Sequence, residues 1–243
     1  MYDDKNDNDD KKQDTSDTLP TSKVHIIYDK SVFFSNFVPI IVVVEKTIAI
    51  KNLNKYKNTM WRKFCGWLLK RMGWTVDNDT IVPEDKCLIL GVPHTSGWDF
   101  VISYLFYESI GGNAKVMIKK EFFFWPLGGL LRKLGGLPVD RKNAVSMVLS
   151  TIHQMKEAKT CHLAIAPEGT RKPIKRWKTG FHTIAREVGC SVYMGYFDWG
   201  TKHVGWGKKV ELTDDARADM KRIQEMYEEM HLTGKHKEMY VTK

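Results

Sequence analysis

The 243 residues suffice for one substantial core and an appendage. With 42% hydrophobic and 28% charged residues, the composition is that of a globular protein and excludes a wholly disordered or membrane-embedded chain. The formal charge is +9, and it is uneven: seven Asp against four Lys leave residues 1–23 at −3 and the remainder at +12. Such a surface suits an anionic partner: nucleic acid, anionic lipid, an acidic carrier protein or coenzyme phosphates.

Four scattered cysteines (Cys65, Cys87, Cys161, Cys190) form no paired spacing, so a zinc site is excluded. Cys87 and Cys161 adjoin apolar runs and read as small reduced core residues, which implies a cytosolic setting. The N-terminus opens with acidic residues where a signal peptide needs positive charge.

Residues 1–23 are polar and Asp-rich and are expected to be disordered. The apolar run 32–44, broken by Ser35, Asn36 and Pro39, is about half the roughly 20 residues a spanning helix needs. Because the coherent pattern begins at Met60, residues 24–59 read as an accessory extension, or as lying upstream of a native start at Met60, with the main domain at 60–243. From residue 61 to 72 a helical wheel gathers Trp61, Phe64, Cys65, Trp67, Leu68, Leu69 and Met72 on one face, opposite Arg62, Lys63 and Lys70. A basic, Trp-bearing amphipathic helix fits a membrane interface, and equally a helix laid on its own protein core.

Beyond residue 79 the pattern alternates. Strands are expected at 87–92, 115–118, 137–139, 162–166, 191–197 and 204–212; helices at 100–110, 144–157 and 179–188, the last closed by Gly189. A final helix should start after Thr213 as N-cap. Strand–helix alternation predicts a layered α/β domain with a mostly parallel central sheet flanked by helices. The aromatic stretch 122–125, beside Lys119 and Lys120, would sit at a headgroup boundary, line an acyl groove, or pack inward ring by ring.

Three constellations carry chemistry. Pro93-His94-Thr95-Ser96-Gly97-Trp98-Asp99 follows a strand and precedes a helix, so a loop through Gly97 would bring Asp99 against the His94 imidazole. The carboxylate would hold one ring nitrogen as N–H and leave the other as a base. With 8 His and 29 acidic residues, a His five places before an acid arises about once by chance, and Asp99 also suits the start of a helix, so context must decide. The second constellation, Pro167-Glu168-Gly169-Thr170-Arg171, also follows a buried-type strand, and both should open onto the carboxyl edge of one sheet. Gly169 permits close backbone approach, Arg171 offers a planar fork for phosphate, Thr170 adds a hydroxyl, and Glu168 would orient Arg171 or accept a substrate hydroxyl. Gly135-Gly136-Leu137-Pro138-Val139-Asp140-Arg141 lies between them, with Arg141 a second phosphate ligand or a solvated surface cation.

In that order, H-x4-D, G-G-x-P-V-D-R and P-E-G-T-R resemble the first three sequence blocks of the 1-acylglycerol-3-phosphate acyltransferase family, over roughly residues 60–212. The resemblance implies that His94 is the general base and Asp99 its partner, and that Arg141, Glu168, Gly169, Thr170 and Arg171 form the acceptor's phosphate site. It further implies acyl transfer from acyl-CoA or acyl-carrier protein to the hydroxyl of a lysophospholipid, giving phosphatidic acid from 1-acylglycerol-3-phosphate. A thioester is already activated, so the reaction needs no metal or cofactor. The expected setting is peripheral, on the cytoplasmic face of an anionic membrane. Pro93 stands where many members carry Asn, and Cys190-Ser191-Val192-Tyr193-Met194 replaces a Pro-rich fourth block. A compact bacterial subgroup shares Trp177-Lys178-Thr179-Gly180-Phe181. The alternatives are a different acceptor (a lyso-aminolipid or glycolipid), a catalytically silent membrane-binding member, or a nucleic-acid binder. The last lacks any recognition-helix, zinc or aromatic-strand signature.

Overall fold

A computed structural model describes residues 54–140 and 143–237. The acidic tail, the apolar run at 32–44 and Arg141 lie outside the described residues. The first helix, α1 (Asn54–Arg71), runs across the expected boundary at Met60. Its buried stripe is Trp61, Cys65 and Leu69, with Phe64, Leu68 and Met72 packed at the margin. Trp67 departs from the helical-wheel expectation: it is 58% exposed, because it sits on the flank of a stripe only one residue wide.

The chain continues through β1 (Thr75–Val76), β2 (Lys86–Val92), α2 (Trp98–Ser109), β3 (Ala114–Lys119), α3 (Leu127–Lys133), β4 (Gly136–Val139), α4 (Ala144–Glu157) and β5 (Cys161–Ile165). Then follow α5 (Gly180–Val188), β6 (Ser191–Asp198), β7 (His203–Gly205), β8 (Lys209–Val210) and α6 (Ala216–Glu229). The sheet order is β1-β7-β6-β2-β5-β3-β4, with β8 paired to β6. Neighbours are parallel except for β7 and β8, which run antiparallel to β6. The expected α/β architecture is therefore present.

β2 is the central strand, and its sequence shows why. Both faces of Lys-Cys-Leu-Ile-Leu-Gly-Val are apolar, as a strand covered on both sides requires. Cys87 and Ile89 pack into one layer with α1, α2 and α3, while Leu88, Leu90 and Val92 pack into the other with α4, α5 and α6. The four cysteines are free, with Cys65, Cys87 and Cys161 buried.

Two boundaries differ from the expectations. The strand expected at 204–212 breaks into β7 and β8 around Gly207, whose φ of 52° and close approach to the Met194 carbonyl force a kink. The final helix is capped by Asp215, whose carboxylate accepts from the N–H groups of Arg217 and Ala218. Thr213 stands two residues earlier, accepting from Asp215 N–H through its hydroxyl, 3.2 Å away. Gly189 closes α5 in the left-handed conformation, as expected.

Candidate active site

Because β2 lies between β5 and β6, the loops leaving these three parallel strands meet at one rim of the sheet. The β2 loop brings His94 Nδ1 to 3.4 Å from Asp99 Oδ2. Asp99 is 1% exposed, while the His94 side chain keeps 24% of its surface open. In an imidazole with Nδ1 turned to the carboxylate, Nε2 is directed away from it, toward the open side.

Asp99 belongs to the first turn of α2, yet its carboxylate serves the loop before the helix. Oδ2 accepts from the N–H groups of Thr95 (2.7 Å) and Ser96 (2.6 Å). Oδ1 accepts from Trp199 Nε1, 2.9 Å away. A buried carboxylate held by three donors is fixed in direction, as a histidine's partner must be. Two of these donors, the N–H groups of Thr95 and Ser96, belong to the loop itself, so the carboxylate that faces His94 also folds its loop.

Glu168 arrives from the β5 loop and is 6% exposed. Both of its oxygens accept from the backbone N–H of His94, at 2.8 and 3.1 Å. The sequence suggests roles for Glu168 toward Arg171 or a substrate hydroxyl; in the structure both of its oxygens hold the His94 main chain. Burial pushes the Glu168 carboxyl up to about 8; the Asp99 charge adds to this and the His94 N–H opposes it. Burial thus disfavours the charged form of the carboxyl that tethers the two loops. Gly169 has a φ of 67°, which a side chain would strain, and its N–H donates to Ala166 O at 3.0 Å. The Thr170 hydroxyl accepts from Lys172 N–H at 3.1 Å and so shapes the turn that presents Arg171, a half-buried side chain.

The structure thus brings His94, Asp99, Glu168, Gly169, Thr170 and Arg171 to one rim. Trp199 was missed by sequence reasoning. No local signal marks it, because its place beside Asp99 follows from the pairing of β6 with β2. Of the Trp177-Lys178-Thr179-Gly180-Phe181 stretch, the two aromatic ends belong to the core: Trp177 and Phe181 are buried, and Trp177 packs against Tyr227 with ring centroids 5.5 Å apart. Of the aromatic run, Phe122 is buried, Phe123 lies under the Arg132 guanidinium, and Phe124 and Trp125 face outward at 48% and 90% exposure.

The family model described as Acyltransferase matches residues 73–194, half of the chain. The chain belongs to the acyltransferase family. Its matched segment runs from just before β1 into β6 and includes every described residue of the rim except Trp199. Among solved structures the acyltransferase fold is similar to the crystal structure of the 1-acyl-sn-glycerophosphate (LPA) acyltransferase PlsC from Thermotoga maritima. The TM-score is 0.53 and the identity 16%, over 80% of this chain and 88% of that one. No curated protein matches the chain.

Proposed function

We propose that this acyltransferase moves a fatty acyl group from acyl-CoA or acyl-carrier protein to the hydroxyl of a lysophospholipid, 1-acylglycerol-3-phosphate first among them. The observation that carries this reading is the half-open His94 imidazole, backed by a buried Asp99 at 3.4 Å, on a loop tethered to the one bearing Arg171. His94 Nε2 takes the proton from the acceptor hydroxyl as its oxygen attacks the thioester carbonyl. The tetrahedral intermediate then collapses, the C–S bond breaks, and the imidazolium returns the proton to the departing thiolate. General base catalysis of this type is worth about 10²–10⁴ in rate. Gaps such as 3.4 Å commonly tighten once substrate is bound.

Arg171 supplies the cation for the acceptor's phosphate, with Arg141 as a second ligand and Gly169 and Thr170 shaping the turn. Glu168 contributes through the His94 backbone rather than by touching phosphate. Gly169 N–H is committed to Ala166 O and does not serve the oxyanion, for which the backbone N–H groups near Gly97 are the candidates. No cofactor enters this scheme. Among the described residues no helix is long and apolar enough to cross a membrane. The proposed setting is the cytoplasmic surface of an anionic membrane, met by Phe124, Trp125 and the lysines beside them.

Thiol release from acyl-CoA and acyl-carrier protein, with and without lysophosphatidic acid, tests the reading. His94→Ala should lower acceptor-dependent release by 10² or more, with the fold retained. Full activity in that variant would sink the base assignment. Release with a lyso-aminolipid or glycolipid and none with lysophosphatidic acid would keep the reaction and change the acceptor.

A further inference from the structure

The chain does not end its work at the rim with β6. After α6, residues 232–236 cross back over the loop that holds His94. Thr233 N–H donates to Asp198 Oδ1 at 2.8 Å, and Thr233 O accepts from Trp199 N–H at 2.9 Å. Gly234 lies so close to Thr95 that an added Cβ would stand 2.6 Å from Thr95 Cγ2. His236 N–H donates to Thr95 Oγ1 at 3.3 Å. Between these anchors, Lys235 Nζ sits 4.7 Å from the Trp98 ring centroid and 4.8 Å from that of Trp199. Trp98 is the residue before Asp99, and Trp199 is the indole that donates to Asp99 Oδ1.

We propose that Lys235 is a positioning residue for the catalytic base: its ammonium grips Trp98 and Trp199 and thereby fixes the indole donor, Asp99 and, through them, His94. The inference rests on the reading of His94 given above. An ammonium over an indole face is attracted by the ring quadrupole, and Lys235, an exposed side chain, sets its ammonium within reach of two such faces. Burial between the rings lowers the Lys235 pKa, with Lys202 acting the same way and Asp99 opposing. Lys202 holds the same indole, 4.6 Å from the Trp199 centroid, and also reaches Trp74 at 5.1 Å. Trp199 is therefore held by two cations, one from its own hairpin and one delivered from the end of the chain. An acidic partner loose by a fraction of an ångström costs rate rather than affinity, because the acceptor contacts lie elsewhere.

The test compares Lys235→Met, Lys235→Arg and Trp199→Phe with wild type and His94→Ala in the full chain. Each is assayed for kcat and acceptor KM, and each is ¹⁵N-labelled at tryptophan for the indole N–H spectrum. Lys235→Met should lower kcat roughly three- to thirtyfold with KM held within about twofold. Lys235→Arg, which keeps the cation over the rings, should restore most of it. Trp199→Phe, which keeps a ring face and deletes the N–H, should reproduce the Lys235→Met split and identify the Trp199 resonance. That resonance should move in Lys235→Met and stay in place in Lys235→Arg. Wild-type kcat in Lys235→Met, a loss confined to KM, or an unmoved indole resonance would overturn the proposal while inactive His94→Ala keeps the base assignment standing. Full activity in His94→Ala would instead overturn the base on which it rests.

Discussion

The eight histidines of this chain are chemically alike in sequence, and their partners separate them. His162 is buried, with Nε2 against Glu84 O at 2.7 Å and Nδ1 against the Tyr107 hydroxyl at 2.5 Å. His182 is buried between Thr213 O and Asp219. Both rings are consumed by protein partners at one or both nitrogens, whereas His94 has a buried carboxylate behind and an open side in front. Glu168 shows the complementary case of a carboxyl whose surroundings disfavour charge. Raised to about 8 in the fold from 4.5, it binds a proton more tightly folded than unfolded. Its contribution to stability is thus fully present below about pH 4.5 and is lost as pH rises toward 8. Glu168→Gln keeps the acceptor for His94 N–H and cannot ionise. Thermal melts from pH 5 to 8 should therefore show wild type losing stability relative to this variant, by on the order of a few kcal/mol. Parallel pH dependences would mean that Glu168 is ionised throughout.

At the scale of elements, the rim depends on how strands and helices are pinned to one another. Tyr227, fully buried on α6, donates its hydroxyl toward Gly195 O at 2.9 Å and Leu90 O at 3.2 Å, bridging the two strands that end beside the site. Tyr227→Phe should cost about 1 kcal/mol in urea unfolding, since one hydrogen bond goes and the ring packing remains. A loss above about 3 kcal/mol would mean that the hydroxyl does more than bridge β2 and β6. Asp198, at the end of β6, pins the next turn. Burial acts to raise its pKa, yet the Thr201 hydroxyl and the N–H groups of Thr233, Gly200 and Thr201 outweigh it and hold the carboxyl below its ordinary range. That contribution is present above pH 3.8, the ordinary value, and is lost as pH falls through the lower folded one.

At the scale of the whole molecule, charge and exposed aromatics bear on the proposed membrane setting. The chain carries +9 overall, and Trp125 is the most exposed large hydrophobic among the described residues, with Phe124 beside it. Lys120 is anchored next to them by Asp140, 2.5 Å away. Each basic residue near an anionic surface contributes about 1 kcal/mol, weakened by salt. Flotation with vesicles containing phosphatidylglycerol should therefore fall as salt rises. The double substitution Phe124→Ser, Trp125→Ser should lower binding on the order of tenfold. Unchanged flotation would remove this loop from the proposed membrane contact, and absence of flotation at low salt would overturn the proposed setting.

The sequence by itself determined what is local. Apolar runs of strand length gave β2, β5 and β6; helical periodicity gave α4 to the residue; Gly189 marked the end of α5. The motif blocks identified His94, Asp99 and the Glu168–Arg171 turn as candidates, because a short spacing is a fixed reach along the backbone. Tertiary structure decided what depends on strand order. It placed β5 and β6 on either side of β2, and so set the Glu168 carboxyl on the His94 backbone 74 residues away. It also supplied Trp199 as the third donor to Asp99 and carried Lys235 across from the chain's end. These contacts were illegible because they depend on which strands become neighbours. That choice comes from packing the whole core, and no segment carries it alone.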